Sequence, residues 1–280
     1  MDPLPYNITI PAQSSAIEYF PGRADNDTLE GGWNATYTHG RNSNYQGIGD
    51  SYLQTAFLDT SMSLTWVGTA MYLYGNSTDS VDIEVDGTRF IDVRPNGDLL
   101  YRATGLPYGS HKIVLKHRGS GTLAIHHAIL TIGIGYQEYD VLNRSVSAVI
   151  DGQPNDAFFE FQNVASDSTR WGAYTRLKAD LPNGGQKPIP DTMGGSVGSS
   201  TGLAFNLTNS SAFFIRGFAG RERQAKIATL TPGLKGESSK ITMFNDFSPL
   251  YDYDQVLYWE RGTHIDPHAY SVSFVYYPVY

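Results

Sequence analysis

The sequence contains no cysteine and therefore no disulfide, although extracellular proteins of this size can be stable without one. It also has no apolar run of about 18 residues, the length at which a segment becomes a candidate membrane helix. Residues 1–5 carry neither the basic nor the apolar region of a secretory signal peptide. We therefore expect any leader or membrane anchor of the full protein to lie outside this sequence.

Charged residues are scarce, at 17% of the chain against about 25% in typical globular proteins. The formal net charge of -8 is spread without a long run of one sign, so the attraction to phosphate backbones that nucleic-acid binding needs is missing. Instead the chain holds 29 Gly, 14 Pro and 19 Tyr, a composition typical of extracellular β proteins. We expect a β protein that does not bind nucleic acid.

Long helices are not expected, because no stretch keeps a 3.6-residue apolar period over three turns. Apolar and polar residues alternate instead, as they do in residues 81–86. Other alternating segments are residues 63–75, with a break at Gly68, and residues 111–117 and 122–132. The predicted fold class is all-β, with two tandem antiparallel jelly-roll-like β-sandwiches, because 280 residues are too many for one such unit.

The second half of the sequence repeats the plan of the first. At one constant offset, Leu99, Gly105 and His111 match Val256, Gly262 and His268. Residues 70–75 match residues 212–217 more weakly. We therefore place the first sandwich at residues 1–139 and the second, divergent copy at residues 140–280. The strand expected at residues 123–132 has no evident counterpart in the second copy.

Trp33 and residues 63–75, 83–87 and 105–115 together resemble the tandem galactose-binding-domain-like ectodomains of fungal, chiefly basidiomycete, cell-surface proteins. The resemblance covers nearly all of the first half and is looser in the second, where Asp266 and Pro267 stand in place of Gly109 and Ser110. It implies two jelly-roll modules facing outwards from a cell and, by analogy of fold, carbohydrate binding. It supplies no catalytic residues.

Seven Asn-X-Ser/Thr sequons favour passage through a secretory pathway, since chance would supply about two or three in this composition. We predict glycosylation at Asn7, Asn26, Asn34, Asn76, Asn143, Asn206 and Asn209. The predicted location is extracellular, secreted or on the cell surface.

Two stretches combine the aromatic rings that stack on sugars with polar groups that bind hydroxyls. The predicted ligand-binding residues are Asn44, Tyr45, Asp50 and Tyr52 in the first half, and Tyr251, Asp252, Tyr253, Asp254 and Trp259 in the second. Both stretches are expected in loops at a sandwich rim, where binding groups usually lie. The alternative is that their rings pack a sandwich edge or the contact between the halves.

These residues predict a non-catalytic module that binds carbohydrate or cell-wall polysaccharide. One alternative is a glycoside-cleaving enzyme that uses a carboxylate pair, drawn either from Asp82, Glu84 and Asp86 or from Asp252, Asp254 and Glu260. Another is a structural or adhesive surface protein that self-assembles or binds protein partners.

Metal and cofactor sites are not expected, except that Asp25 and Asp27 could contribute oxygens to a structural calcium. His126 and His127 are adjacent, so in a regular strand they point to opposite faces and cannot share an ion. His111, which recurs as His268, is expected to anchor a turn.

Overall fold

The computed structural model describes residues 3–23, 31–134, 142–163, 171–195, 201–208, 210, 212–220, 225–231, 238–261 and 270–276. Throughout these ranges the regular structure is β-strand, without a helix. The predicted all-β fold class is thereby confirmed. The described ranges contain no helix that is long and apolar enough to cross a bilayer.

Two facing antiparallel sheets make up the first half. The strands are β1 (Leu4–Pro11), β2 (Ile17–Phe20), β3 (Asn34–Tyr37), β4 (Ser51–Thr55), β5 (Ser61–Gly68), β6 (Ala70–Ser77), β7 (Val81–Val85), β8 (Thr88–Val93), β9 (Leu99–Ala103), β10 (Gly109–His117) and β11 (Leu123–Ile134). The six-stranded sheet has the order β3-β4-β11-β6-β9, with β1 also paired to β11, and the five-stranded sheet has the order β2-β5-β10-β7-β8.

Alternation places the core of this half between its two sheets. Val81, Ile83 and Val85 are buried, whereas Asp82 and Glu84 between them keep contact with solvent. These three residues belong to a hydrophobic cluster that contains buried residues of both sheets. The fully buried Trp33 and Trp66 are among its largest members.

Gly68 ends β5, after which the chain crosses to the other sheet and starts β6. A Cβ at Gly68 would lie 2.0 Å from the carbonyl oxygen of Thr131, so only glycine fits this crossing. The break expected at this position is confirmed.

The second half is built from smaller sheets. Its strands are β12 (Val149–Ile150), β13 (Gln153–Pro154), β14 (Phe159–Asn163), β15 (Trp171–Tyr174), β16 (Lys178–Asp180), β17 (Gln186–Pro188), β18 (Thr192–Gly195), β19 (Thr201–Leu207), β20 (Ala212–Ala219), β21 (Ala225–Thr231), β22 (Lys240–Asn245), β23 (Asp252–Arg261) and β24 (Tyr270–Tyr276). The main sheet has the order β14-β19-β24-β21-β22, while β15-β18, β16-β17 and β20-β23 form two-stranded sheets.

The strand order parallels that of the first half. β14-β19-β24-β21-β22 follows the same path as β2-β5-β10-β7-β8, and β20 pairs with β23 as β6 pairs with β9. In the first half β6 also pairs with β11, but no described strand of the second half pairs with the other edge of β20. The domain boundary at residue 139 stays a prediction, because residues 135–141 lie outside the described ranges.

Candidate functional site

A row of four aromatic side chains crosses the outer face of the six-stranded sheet. The rings of Tyr52 and His126 lie 5.2 Å apart with their planes tilted by 53°, and those of Tyr74 and His127 stack at 4.7 Å and 16°. The row runs from β4 over β11 to β6, which is about 10 Å at the usual strand spacing. All four side chains keep part of their surface exposed. We call these four residues the ring platform.

A β-bulge turns the two adjacent histidines towards the same side. The register between β11 and β6 shifts between Ile125 and His127, so Ile125 is buried while His126 and His127 both face outwards. Gly75 permits the close approach of the strands, because a Cβ there would lie 2.0 Å from the carbonyl oxygen of Ala124. The expectation that the two histidines point to opposite faces is therefore wrong.

Amide side chains border the ring platform. Gln54 lies two residues after Tyr52 on the same face of β4, and its Nε2 donates a hydrogen bond of 2.9 Å to Oγ1 of Thr36. Asn76 on β6 is exposed, and its Nδ2 lies 3.5 Å from Nε2 of His126. Rings pack against the CH faces of a sugar while amides bind its hydroxyls, so this surface has both kinds of group that a saccharide requires.

The electrostatics of the ring platform favour an uncharged ligand. Burial lowers the pKa of His126, and burial together with the neighbouring His126 lowers the pKa of His127, so both rings are neutral at neutral pH. The carboxylates of Asp50 and Asp98 act in the opposite direction on both pKa values. Because these flanking charges are negative, an acidic saccharide would be repelled.

The structure separates the ligand-binding residues predicted in the first half. Tyr52 belongs to the ring platform, and Asp50 is exposed and acts electrostatically on its histidines. Asn44 and Tyr45 lie elsewhere, in the exposed turn after Arg41. Tyr45 is 46% exposed, has a positive φ of 58°, and packs its ring 5.4 Å from the guanidinium carbon of Arg41.

Tyr45 and Tyr251 bring the two predicted stretches together. The backbone amide of Tyr251 donates a hydrogen bond of 2.9 Å to the carbonyl oxygen of Tyr45, and Gln46 forms a parallel β-bridge with Tyr251. Side chains extend this contact, since the hydroxyls of Ser14 and Ser15 donate to backbone carbonyl oxygens of β23. We call the contact of residues 12–23 and 31–47 with residues 246–259 the junction.

Asp252 lies inside the junction. Its Oδ2 accepts a hydrogen bond of 2.9 Å from Nε2 of Gln13, and Oε1 of Gln13 accepts one of 2.6 Å from Ser248. Gln13 and Ser248 are fully buried. Burial raises the pKa of the Asp252 carboxyl above its usual value. Asp252 therefore contributes to holding the halves together.

Tyr253 and Asp254 line a pocket in the second half. The rings of Phe218 and Tyr253 lie 6.1 Å apart, and Nη1 of Arg216 lies 3.2 Å from Oδ1 of Asp254. Asp191 lines the same pocket. Trp259 is not part of this pocket, since its partly buried ring packs against the core cluster of the first half and stacks on Phe214 at 6.1 Å.

The carboxylates considered for catalysis each have a partner in the fold. Asp82 accepts a hydrogen bond of 2.7 Å from Arg118, and Glu84 one of 2.8 Å from Arg89. Oε2 of Glu260 accepts a hydrogen bond of 2.5 Å from Nζ of Lys240. The hydrogen bond from Arg118 holds the pKa of Asp82 below its usual range, which is the wrong direction for a general acid.

His111 anchors a turn. Its Nδ1 lies 2.6 Å from Oδ2 of Asp86 and its Nε2 lies 2.8 Å from the carbonyl oxygen of Pro107. The other oxygen of Asp86 accepts a hydrogen bond of 2.8 Å from the Lys112 amide. The equivalent His268 lies outside the described residues.

The proposed calcium ligands Asp25 and Asp27 also lie outside the described residues. Within the described part of the chain, no group of three or more His, Asp or Glu side chains is placed to hold a metal ion.

The predicted glycosylation sites differ in how exposed their asparagine side chains are. Asn7, Asn76, Asn143 and Asn206 are exposed, whereas Asn34 is only 4% exposed. Because the Asn34 side chain is buried, a glycan is not expected at this position of the folded protein. Asn26 and Asn209 lie outside the described residues.

Sequence reasoning missed three of the four platform residues, namely Tyr74, His126 and His127. The available signal was Gly75 inside an otherwise regular strand, since such a glycine often marks a bulge or a close backbone approach. Combined with adjacent histidines on a neighbouring strand, it would have pointed to a locally irregular, ring-bearing surface.

No model of a known protein family matches this sequence, and no curated protein matches it at a significant level. Among solved structures, a family two carbohydrate esterase from Cellvibrio japonicus is similar at 18% identity and a TM-score of 0.31, covering 50% of this chain and 37% of the esterase chain. This chain thus spans little more than a third of that enzyme.

Two further similar structures come from Paenibacillus. The N-terminal CBM22-1-CBM22-2 tandem domain of Xyn10C from Paenibacillus barcinonensis has 10% identity and a TM-score of 0.24, with 89% of this chain and 84% of that chain covered. A Paenibacillus xanthan lyase has 12% identity and a TM-score of 0.27, with 99% and 27% covered. At these scores the likenesses identify neither a family nor a ligand, and the resemblance to fungal ectodomains stays a prediction.

Proposed function

We propose that this protein binds neutral polysaccharide chains without cleaving them, and that it does so on the ring platform. The observation that carries the proposal is the row of two ring pairs, Tyr52 with His126 and Tyr74 with His127, across three adjacent strands. A row about 10 Å long suits neighbouring sugar units of a chain better than a single terminal sugar.

Binding without cleavage is supported by the state of the carboxylates. A glycosidase needs two facing carboxyl groups, of which the acid has a raised pKa. Among the candidate carboxyl groups, burial raises the pKa of Asp252, but its Oδ2 already accepts a hydrogen bond from Gln13 inside the junction. Near the platform, Asp50 and Asp98 are exposed.

An extracellular or cell-wall location is proposed from the sequons. Asn7, Asn76, Asn143 and Asn206 remain available as acceptors on the surface of the folded chain. A polysaccharide-binding module needs to reach a cell wall or an extracellular matrix, so the two proposals agree.

The test uses protein made in bacteria, which lacks N-glycans, and soluble neutral β-glucan and xylan oligosaccharides in isothermal titration calorimetry. Tyr52→Ala and Tyr74→Ala should each weaken binding by up to about tenfold, since one aromatic contact contributes about 0.5–1.5 kcal/mol. Tyr174→Ala is the matched control, because Tyr174 is an exposed tyrosine of the second half, 47% exposed. No binding at millimolar saccharide, or equal binding by all variants, would overturn the proposal.

Self-association is a second candidate, favoured by the edge strand β22. Ile241 and Met243 lie on one face of this strand and are 66% and 71% exposed. Exposed apolar residues on an edge strand promote pairing between copies. Sedimentation velocity over a range of concentrations tests this candidate, with Ile241→Lys expected to abolish any concentration-dependent assembly.

A further inference from the structure

Asn76 carries its sequon onto the same face as the ring platform. Asn76, Ser77 and Thr78 form the sequon, and Asn76 sits near the end of β6, two residues beyond Tyr74. Its side chain is exposed, and Nδ2, the atom that accepts a glycan, lies 3.5 Å from Nε2 of His126. A glycan attached there therefore begins at the edge of the platform.

One small residue separates Asn76 from the next strand of the ring platform. The residue opposite Asn76 on β11 is Ala124, whose methyl group is buried. Ala124 is paired in turn with Gln54 of β4, so the Asn76 and Gln54 amides lie on either side of it, and Gln54 is two residues from Tyr52. The same ring faces and amides that suit an external saccharide are thus within reach of an attached one.

A tethered saccharide competes with free saccharide through its effective concentration. A glycan held by a short flexible link has an effective concentration of the order of millimolar, so it outcompetes free oligosaccharides of similar intrinsic affinity that are more dilute than this. An attached glycan would therefore exclude them without any change of fold.

We infer that a glycan on Asn76 lies over the ring platform and closes it to external polysaccharide, so that occupancy of this one sequon regulates binding. The inference rests on the proposed function for its regulatory meaning, while coverage of the histidines by the glycan is a separate, measurable fact. Asn7 shares the outer face but pairs with Thr131, further along β11, and Asn206 belongs to a different sheet.

The experiment measures coverage without any added saccharide. The protein is secreted from a eukaryotic host as wild type, Asn76→Gln and Asn206→Gln, with occupancy of each sequon read by peptide mass spectrometry. Diethylpyrocarbonate, which acylates neutral imidazoles, is then used to label His126 and His127, with exposed His39 as the internal reference. Asn76→Gln should label several-fold faster than wild type at both platform histidines, and Asn206→Gln should match wild type.

Enzymatic removal of the glycan from folded wild type should restore fast labelling, which separates coverage from any effect of the substitution on folding. Equal labelling of wild type and Asn76→Gln, or an unmodified Asn76 in the secreted protein, would overturn the inference. Neutral β-glucan oligosaccharide should bind the bacterially made wild type, which lacks the glycan but keeps the Asn76 amide, and not the secreted, glycosylated wild type. If bacterially made protein fails to bind while coverage is observed, the proposed function fails and the coverage stands.

Discussion

The backbone amide of Tyr251 donates a hydrogen bond of 2.9 Å to the carbonyl oxygen of Tyr45, which joins two tyrosines from opposite halves of the chain. Each was predicted to bind a sugar in its own module. Their contact instead places them at the edge of the junction, next to the buried Gln13 and Ser248. The junction is therefore the part of the molecule where a substitution in one half should be felt in the other.

Asp252→Ala should destabilise the protein by about 1–3 kcal/mol, because it leaves the buried amide of Gln13 without one of its acceptors. Asp252→Asn keeps an acceptor oxygen and should cost much less. Chemical denaturation at pH 7 measures both. Equal loss in the two variants would show that the charge, rather than the hydrogen bond, is what Asp252 contributes.

Asp252 should also make the stability of the protein depend on pH. Its pKa is raised in the folded state, so the folded protein binds the proton more tightly than the unfolded chain. This contribution to stability is present at low pH and is lost as the pH rises through the unfolded and then the folded pKa. Asp252→Asn should remove that dependence, which denaturation curves between pH 4 and pH 7 would show.

The platform histidines should affect the pH dependence of stability in the opposite direction to Asp252. Their pKa values are lowered by burial, so below the usual value of 6.5 the unfolded chain takes up protons before the folded protein does. Stability should fall as the pH drops from 6.5 through the folded pKa values. NMR titration should place both imidazoles below 6.5, and the variant His126→Gln/His127→Gln should show a flatter dependence of unfolding free energy on pH.

Gly75→Ala should destabilise the protein and disturb the ring platform, since the new Cβ would meet the carbonyl oxygen of Ala124 at 2.0 Å. The strands must separate at the bulge, which moves His126 and His127 away from Tyr52 and Tyr74. Thermal unfolding measures the first effect and saccharide titration the second. Gly97→Ala is the matched control, because Gly97 has nothing within 4 Å of an added Cβ, although its φ of 64° imposes a small cost.

Asn34 should be unmodified in secreted protein, whereas Asn7 and Asn206 should carry glycans, because Asn34 is only 4% exposed in the fold. Peptide mass spectrometry after enzymatic deglycosylation in heavy-oxygen water reads each position directly. A folded, fully occupied Asn34 would mean that β3 does not form as described.

The strands could be predicted because alternation is local. Val81, Ile83 and Val85 are buried as their spacing indicates, and Gly68 breaks the chain where two strands change sheets. The binding surface could not be predicted in the same way. His126 and His127 share a face only because of a bulge between two strands, and Tyr45 meets Tyr251 only because the halves touch. Both depend on contacts that sequence spacing does not encode.

Val256 belongs to the buried cluster of the first half, although its strand β23 pairs with β20 in the second. A chain severed between the halves would therefore give two fragments that copurify, since Val256 of the second half completes the interior of the first. The first half expressed alone would expose the apolar residues that contact Val256 and should be prone to precipitate. The repeated structural unit is therefore smaller than the smallest fragment that is stable by itself.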